Sequence, residues 1–205
     1  QDRALSKQPR DIKVMSFNIR LGVAKDGENR WDLRKELVVK TIREYTPDLL
    51  GLQEVFPMQE EYLREKFPGY VYYGRSRLVD PNDGEACSVM FRKDRFDAIE
   101  KSTFWLSETP DKPGSKSWDS SLPRIANIVR LQDKQAEGKK LVLINTHFDH
   151  RGKVAREGAA KIIKNRVSTL EKGAGVVITG DFNSAEGSKP YQFLVGGNLI
   201  DTFRL

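Results

Sequence analysis

The sequence predicts an α/β protein in which mixed β-sheets are covered by helices on the outside. Three observations support this fold class: strand-like apolar segments outnumber helical ones, the helical segments fall between strands, and no repeat or low-complexity tract breaks the pattern. A simple doubly wound protein would instead alternate one strand with one helix along the chain. With 205 residues, of which 38% are hydrophobic and 31% charged, the chain suits one globular domain.

The first half of the chain contains four predicted strands and two predicted helices. Alternating apolar residues or short apolar runs predict the strands, which lie at 12–19, 49–55, 70–74 and 87–92. Apolar residues at helical spacing predict a helix over 31–45 that Pro47 closes. Pro57, at a first-turn position, opens a second helix over 57–66.

The second half repeats these signals and adds a long loop. Strands are predicted at 98–105, 124–131, 140–146 and 175–179, and a helix at 152–171. The loop 107–123 contains three prolines and many polar residues. It is predicted to be either an ordered surface excursion near a site or a flexible connection.

We expect one domain over residues 11–205, preceded by a polar lead-in at residues 1–10. The sequence starts with Gln1 rather than Met, which a cleaved signal peptide explains. This favours secretion or export to the periplasm, with a cytoplasmic location as the alternative.

Composition narrows the classes of partner. A net charge of +6 and a pI of 9.3 favour a polyanion such as nucleic acid or an anionic lipid surface, although a solvated surface with a mild excess of lysine gives the same numbers. No apolar run reaches the roughly 18 residues of a transmembrane segment, and nothing indicates an obligate protein partner. The single cysteine, Cys87, excludes an intrachain disulfide and a cysteine-based metal site.

Polar residues follow the apolar strands at four places. They are Asn18, Glu54, the Asn145-Thr146-His147 cluster, and Asp181 with Asn183. Mg²⁺ and Mn²⁺ prefer oxygen ligands, usually one or two carboxylates with water and substrate phosphate, and Glu54 suits that role. Each residue taken alone is also explained as a solvated carboxylate, a turn residue or a helix cap.

Both histidines lie in the short stretch NTHFDH, at positions 147 and 150. His147 is predicted to donate to a phosphate oxygen, with Asp149 orienting one of the two rings. The alternative is a hydrogen-bonded imidazole at a strand edge. A zinc site is disfavoured because two histidines without a third strong ligand are too few for a catalytic zinc.

Four motifs in this order resemble the endonuclease/exonuclease/phosphatase family. They are SFNIR at 16–20, LQE at 52–54, NTH at 145–147 and GDFN at 180–183. Further segments, including WDLR at 31–34 and the long loop, are similar to a poorly characterised bacterial branch of that family. The resemblance implies the DNase-I-like fold, a four-layer α/β sandwich with two mixed β-sheets face to face and helices outside.

The resemblance also implies roles for individual residues. Glu54 would ligate the catalytic Mg²⁺ or Mn²⁺, and Asn18 would support it. Asp181 would orient or deprotonate the attacking water, while Asn183 and His147 would bind the phosphoryl oxygens.

Three further residues near these motifs are predicted to contact substrate: Arg124, Asn145 and His150. The guanidinium of Arg124 suits a bidentate phosphate contact, with a salt bridge at the rim of the site as the alternative. Glu85 is a further candidate carboxylate, for which surface exposure is the favoured prediction.

The family pattern departs at the C terminus. Members of the family carry an aspartate-bearing strand and then a Ser-Asp-His motif, but no histidine follows His150 here, and Asp201 is not assigned that role. We therefore expect the last strands to be missing and residues 1–205 to be a poor catalyst by themselves. The predicted function is metal-dependent hydrolysis of phosphodiesters, with nucleic acid favoured, or of phosphomonoesters, by in-line attack of water. The alternative is a noncatalytic phosphate-binding module.

Overall fold

The computed structural model describes residues 11–170, 173–197 and 199–204, so the predicted lead-in at 1–10 lies outside the described residues. All eight predicted strands and all three predicted helices are present. The strands are β1 (Val14–Asn18), β2 (Leu49–Gln53), β3 (Tyr70–Tyr73), β4 (Val89–Arg92), β5 (Phe96–Trp105), β6 (Ile125–Asp133), β7 (Lys140–His147) and β8 (Gly175–Asp181). The helices are α1 (Trp31–Tyr45), α2 (Pro57–Lys66), α3 (Lys153–Ser168) and α4 (Lys189–Leu194), of which α4 was not predicted.

The strands form two mixed sheets within the described residues. The first sheet has the order β1-β2-β4-β3, in which only β1 and β2 are parallel. The second has the order β5-β6-β7-β8, in which only β7 and β8 are parallel. The predicted fold class, mixed sheets in an α/β sandwich, is confirmed.

Three apolar clusters hold four layers together. Between the sheets, side chains such as Leu49 and Phe91 pack against others such as Leu131 and Leu143. The next residues along the strands point outward, because strand side chains alternate between faces. Helices α1 and α2 cover the outer face of the first sheet, and α3 covers that of the second.

A polar layer formed by Gln53, Asn145 and Thr179 lies between the sheets near the ends of β2 and β7. Gly51 is required there, since a Cβ atom at this position would lie 2.0 Å from Thr179 Oγ1 and 2.6 Å from Asn145 Oδ1. The missing side chain lets the two sheets approach each other closely. This approach brings the strand ends of one sheet next to those of the other.

The opposite end of the sandwich is joined by a buried ion network. Arg95 lies 3.0 Å from a carboxylate oxygen of Asp48, beside the first sheet, and 3.1 Å from one of Asp133, in the second sheet. All three side chains are buried. The network therefore links the sheets far from the polar strand ends.

The long loop 107–123 is held against α3, which supports the first of its two interpretations. The carboxylate of Asp119 accepts a hydrogen bond of 2.7 Å from the Ala155 N–H in the first turn of α3. The ring of Trp118 lies on Gly158, where a Cβ would come within 2.4 Å of it.

No helix in the described part of the chain has both the length and the apolar character needed to cross a bilayer.

Candidate active site

The carboxyl ends of the two parallel strand pairs meet at one edge of the sandwich. Asn18 is paired with Gln53 at the end of β1 and β2, and His147 with Asp181 at the end of β7 and β8. Parallel strands end at the same edge of a sheet, so each pair delivers its polar residues together. The close packing of the sheets then brings the two pairs face to face.

Asn18 connects two carboxylates from opposite sheets. Its amide Nδ2 donates to Glu54 Oε1 and to Asp181 Oδ2, each at 3.0 Å. Its Oδ1 accepts from the Arg20 N–H at 2.9 Å, which fixes the orientation of the amide. The predicted supporting role of Asn18 is compatible with this geometry.

Glu54 is turned toward the edge by an unusual backbone. Its φ of +62° lies in the left-handed region, which is rare for a residue other than glycine. Strand β2 therefore ends one residue earlier, at Gln53. Its second oxygen accepts from the Leu21 N–H at 2.9 Å, and the side chain stays 13% exposed. Both hydrogen bonds hold the strained conformation in place.

Asp181 lies between Asn18 and His147 at the open edge. One oxygen accepts from the Asn183 N–H at 3.1 Å, and the other lies 3.8 Å from His147 Nε2. The side chain is 34% exposed, more than that of Glu54. A water molecule or a substrate oxygen can therefore reach it.

His147 is oriented by Glu85, which sequence reasoning expected on the surface. His147 Nδ1 donates to Glu85 Oε1 at 3.0 Å, because an ionised carboxylate can only accept. Both residues are buried, with 5% and 4% exposure. The prediction of an exposed Glu85 is wrong, since its partners come from segments far along the chain.

Two arginines keep Glu85 ionised. Arg77 lies 2.8 Å from one oxygen and Arg124 lies 3.5 Å from the other. Burial alone would raise the pKa of the Glu85 carboxyl, but the hydrogen bond from His147 and the arginine charges outweigh it and lower the pKa. A carboxylate facing His147 is thus present at neutral pH.

Arg124 is buried more deeply than predicted, and it contacts His150. Arg124 is buried between Glu85, Asp149 and His150, so neither a rim salt bridge nor a bidentate phosphate contact fits its placement. Its Nη2 donates to His150 Nδ1 at 3.1 Å, because a guanidinium has no acceptor. The His150 residue itself remains exposed.

Asp149 orients neither imidazole, contrary to the prediction. Its buried carboxylate accepts from backbone N–H groups of the long loop and of the segment that leads into α3. Burial opposes ionisation, but these hydrogen bonds outweigh it and place the pKa of Asp149 far below its usual value. Asp149 is a support for the loop that carries His150.

The two asparagines predicted to contact substrate differ in depth. Asn145 is fully buried, and its amide donates to the Leu52 and Ser88 carbonyls while its Oδ1 accepts from Gln53. This placement does not fit substrate contact, and Asn145 is part of the polar layer. Asn183 is exposed, and its Nδ2 donates to the Phe148 carbonyl at 3.0 Å, which ties the ends of β7 and β8 together.

The donor set at the edge fits a hard divalent cation. Glu54 and Asp181 offer carboxylate oxygens that share one amide donor and remain partly exposed. Mg²⁺ needs only one or two protein carboxylates, with water and substrate phosphate filling the other positions. Within the described residues no group of three or more His, Cys, Asp or Glu side chains is placed to hold a metal ion, so a cation at this edge would take most of its ligands from water and substrate.

Comparison with known proteins supports a common fold and family. The sequence model described as "Endonuclease/Exonuclease/phosphatase family" matches residues 15–203. A solved endonuclease/exonuclease/phosphatase from Bacteroides vulgatus is 34% identical, with a TM-score of 0.86, covering 92% of this chain and 72% of that one. A mannosyl-6-phosphatase from Bacteroides thetaiotaomicron is also 34% identical, with a TM-score of 0.85, covering 90% and 70%.

Curated relatives are more distant and longer. The CCR4-Not complex 3'-5'-exoribonuclease subunit Ccr4 of Candida albicans is 28% identical over 200 residues, covering 82% of this chain and 25% of that protein. Its counterpart in Emericella nidulans is 23% identical over 266 residues, covering 98% and 39%. The chain therefore spans less than half the length of these two relatives.

Proposed function

This chain belongs to the endonuclease/exonuclease/phosphatase family, and from that premise we propose that it is a divalent-metal-dependent phosphoesterase using in-line attack of water. The observation that carries the proposal is the convergence of Asn18, Glu54, Asp181 and His147 at one open edge. Oxygen ligands, a base and a phosphate-binding donor are what metal-assisted phosphoryl transfer requires.

Glu54 is the proposed ligand of Mg²⁺ or Mn²⁺. When bound, such an ion supplies Lewis-acid stabilisation of charge on the phosphoryl oxygens. Asn18 keeps Glu54 in place through the 3.0 Å hydrogen bond to Oε1. Because the same amide holds Asp181, the two carboxylates keep a fixed separation.

Asp181 is the proposed group that orients the attacking water and accepts its proton. A general base must lie within hydrogen-bonding reach of the proton that it removes, and the Asp181 side chain is 34% exposed at the edge, where a water molecule can approach it. Hydrogen bonds from the Asn183 N–H to Oδ1 and from the Asn18 amide to Oδ2 fix the orientation of this carboxylate.

His147 is the proposed donor to the phosphoryl group. Its Nδ1–H donates a hydrogen bond to Glu85, which leaves Nε2 facing the edge beside Asp181. A doubly protonated His147 would donate from Nε2 to a phosphoryl oxygen as negative charge develops there. Donors held rigidly toward such an oxygen account for rate effects of about 10²–10³ in other enzymes.

The proposed substrate is either a sugar phosphomonoester or a nucleic acid. The mannosyl-6-phosphatase neighbour, at 34% identity, favours the sugar ester. The exoribonuclease relatives and the net charge of +6 favour the nucleic acid.

A hydrolysis screen tests the proposal. The chain is assayed with Mg²⁺, with Mn²⁺ and with a chelator on mannose 6-phosphate, p-nitrophenyl phosphate, RNA and DNA. We expect slow hydrolysis that needs the metal and is lost in Glu54→Gln, but not in Glu61→Gln, which removes the same charge from an exposed position on α2. Phosphate binding without hydrolysis under any condition would instead favour the noncatalytic module.

A further inference from the structure

A cavity of about 390 Å³ lies directly beside the candidate active site. It is formed by the first turn of α3 and by the segment that connects β8 to α4. We propose that this cavity binds a second phosphate group of the substrate, next to the phosphate that is hydrolysed. This inference rests on the proposed function for the identity of the ligand, but the site itself can be tested by binding alone.

The charge of the cavity suits an anion. Lys153, Arg156 and Lys189 line it, and Glu157 is the one acidic side chain among the described lining residues. The Glu157 carboxylate lies 3.9 Å from the Lys189 ammonium, at the limit of an ion pair. A concave surface with excess positive charge focuses the potential and attracts phosphate more strongly than scattered lysines do.

One of these cations is fixed in position by the loop that carries His150. Arg156 Nη1 donates to the Asp149 carbonyl at 2.9 Å. This bond uses one of the five N–H donors of the guanidinium, whose planar fork matches the oxygens of a phosphate. Arg156 therefore provides an ordered donor rather than a freely moving surface charge.

A second observation points to a ligand in this cavity. Ser184 lines it, and its hydroxyl is buried with no hydrogen-bond partner among the described residues. Buried hydroxyl groups without a partner are rare in folded proteins, and a bound ligand is one explanation for them. A phosphate in the cavity would offer this hydroxyl an acceptor once the Ser184 side chain turns toward it.

The cavity shares a wall with the active site. Asn183 lines the cavity, and its N–H donates to Asp181 at 3.1 Å. A substrate that places one phosphate at Asp181 can thus place a neighbouring phosphate against Lys153 and Lys189. The favoured substrates carry two phosphates close together, either in a bisphosphorylated small molecule or along a nucleic acid backbone.

Another cavity, of about 220 Å³ under the C-terminal half of α3, provides a contrast. Its cations are already neutralised: Arg166 lies 3.2 Å from Asp111 and Arg130 lies 3.3 Å from Glu100. Paired charges leave little field for an anion. The basic cavity beside Asp181 is therefore the site that we assign to the second phosphate.

Binding of inorganic phosphate tests the site without catalysis. Amide shifts of residues 184–188 are followed by NMR as phosphate is added to the wild type, to the double variant Lys153→Gln/Lys189→Gln, and to Lys161→Gln. The last variant removes one charge from an exposed position on α3 outside the cavity. We expect the dissociation constant to rise about tenfold in the double variant, since it removes two of the three cationic side chains that line the cavity. Equal affinity in all three proteins would overturn the proposal.

Kinetics then identify the source of the second phosphate. KM is compared for 2,3-bisphosphoglycerate with 3-phosphoglycerate, and for a short oligonucleotide with a mononucleotide. In the double variant we expect KM to rise more for one of the two-phosphate substrates than for its single-phosphate counterpart. The pair that shows this difference identifies whether the second phosphate belongs to a small molecule or to a nucleic acid backbone. Equal changes in both pairs would contradict the substrate assignment. If the double variant binds phosphate more weakly but the wild type hydrolyses no ester, the binding site stands and only the proposed function is contradicted.

Discussion

Replacing Asp149 by asparagine tests how the long loop 107–123 and the loop that carries His150 are held together. Oδ1 of Asp149 accepts from the Arg151 and Gly152 N–H groups at 2.9 and 2.7 Å. Oδ2 accepts from the Ser121 and Leu122 N–H groups at 3.0 and 3.2 Å, and from serine hydroxyls. One buried carboxylate thus joins the long loop to the segment that carries His150.

The expected loss follows from the number of acceptors removed. The asparagine side chain has one oxygen, so its NH₂ group must face two of the backbone N–H donors. A buried donor that loses its acceptor costs about 1–3 kcal/mol. Because Ser121 is partly buried and Leu122 is exposed, we expect the NH₂ group to face them and the free energy of unfolding to fall by about 2–3 kcal/mol.

Urea denaturation of the wild type, Asp149→Asn and Asp111→Asn measures this loss. Asp111 lies in the same loop with a side chain that is 90% exposed, so its variant controls for the change in charge. We expect the control to stay within about 0.5 kcal/mol of the wild type. A loss below about 1 kcal/mol in Asp149→Asn would refute the reasoning, because the loop would then be held by other contacts.

The pH dependence gives a second check on the same variant. The folded-state pKa of Asp149 is far below the usual value, mainly because backbone N–H groups outweigh the effect of burial. A lowered pKa contributes stability that is present above the unfolded-state pKa of about 3.9 and is lost as pH falls through the folded-state pKa. The difference between wild type and variant should therefore be constant near neutral pH and shrink only below about pH 4. A difference that grows on acidification would contradict this assignment.

Three further predictions concern the active site itself. Glu54→Gln should weaken Mn²⁺ binding at least about tenfold in calorimetry, since a neutral amide is a poor ligand for a hard cation; equal affinity would remove Glu54 as the ligand. In a form of the protein that hydrolyses a substrate, Asp181→Asn and His147→Ala should each lower kcat by about 10²–10³ with smaller changes in KM, and near-normal kcat at saturating substrate would show that the assigned role is wrong. Glu85→Gln should lower the free energy of unfolding by about 3–5 kcal/mol in urea, because it leaves buried cations without their carboxylate, and a loss under about 1 kcal/mol would contradict a buried ion network.

The sequence predicts the elements well because their signals are local. Helix α1 follows from apolar residues at helical spacing and from Pro47, and β8 follows from the apolar run before Gly180. Helix α4 escaped prediction because its six residues are too few to show a helical period.

The depth of a residue is harder to predict than its face. Asn145 and His147 lie two positions apart on β7 and therefore point to the same side of the sheet. The absence of a side chain at Gly51 lets the opposite sheet close over Asn145, whereas His147 lies one pleat nearer the open edge. Alternation along β7 predicts that the side chains of Asn145 and His147 point to the same face. It does not predict that the facing sheet covers Asn145 and leaves His147 at the edge.

The charges that orient the site come from distant parts of the chain. Glu85 stands two residues before the predicted strand 87–92, and nothing local indicates a partner for its carboxylate, yet it meets a histidine 62 positions later and is flanked by Arg77 and Arg124. Asn18 likewise reaches Asp181 across 163 positions. A polar residue after an apolar strand can be recognised locally as a candidate, but its protonation and orientation depend on partners that only the packing of the two sheets supplies. For this reason the motifs predict which edge holds the site, while the pairing of Glu85 with His147 determines how its imidazole is oriented there.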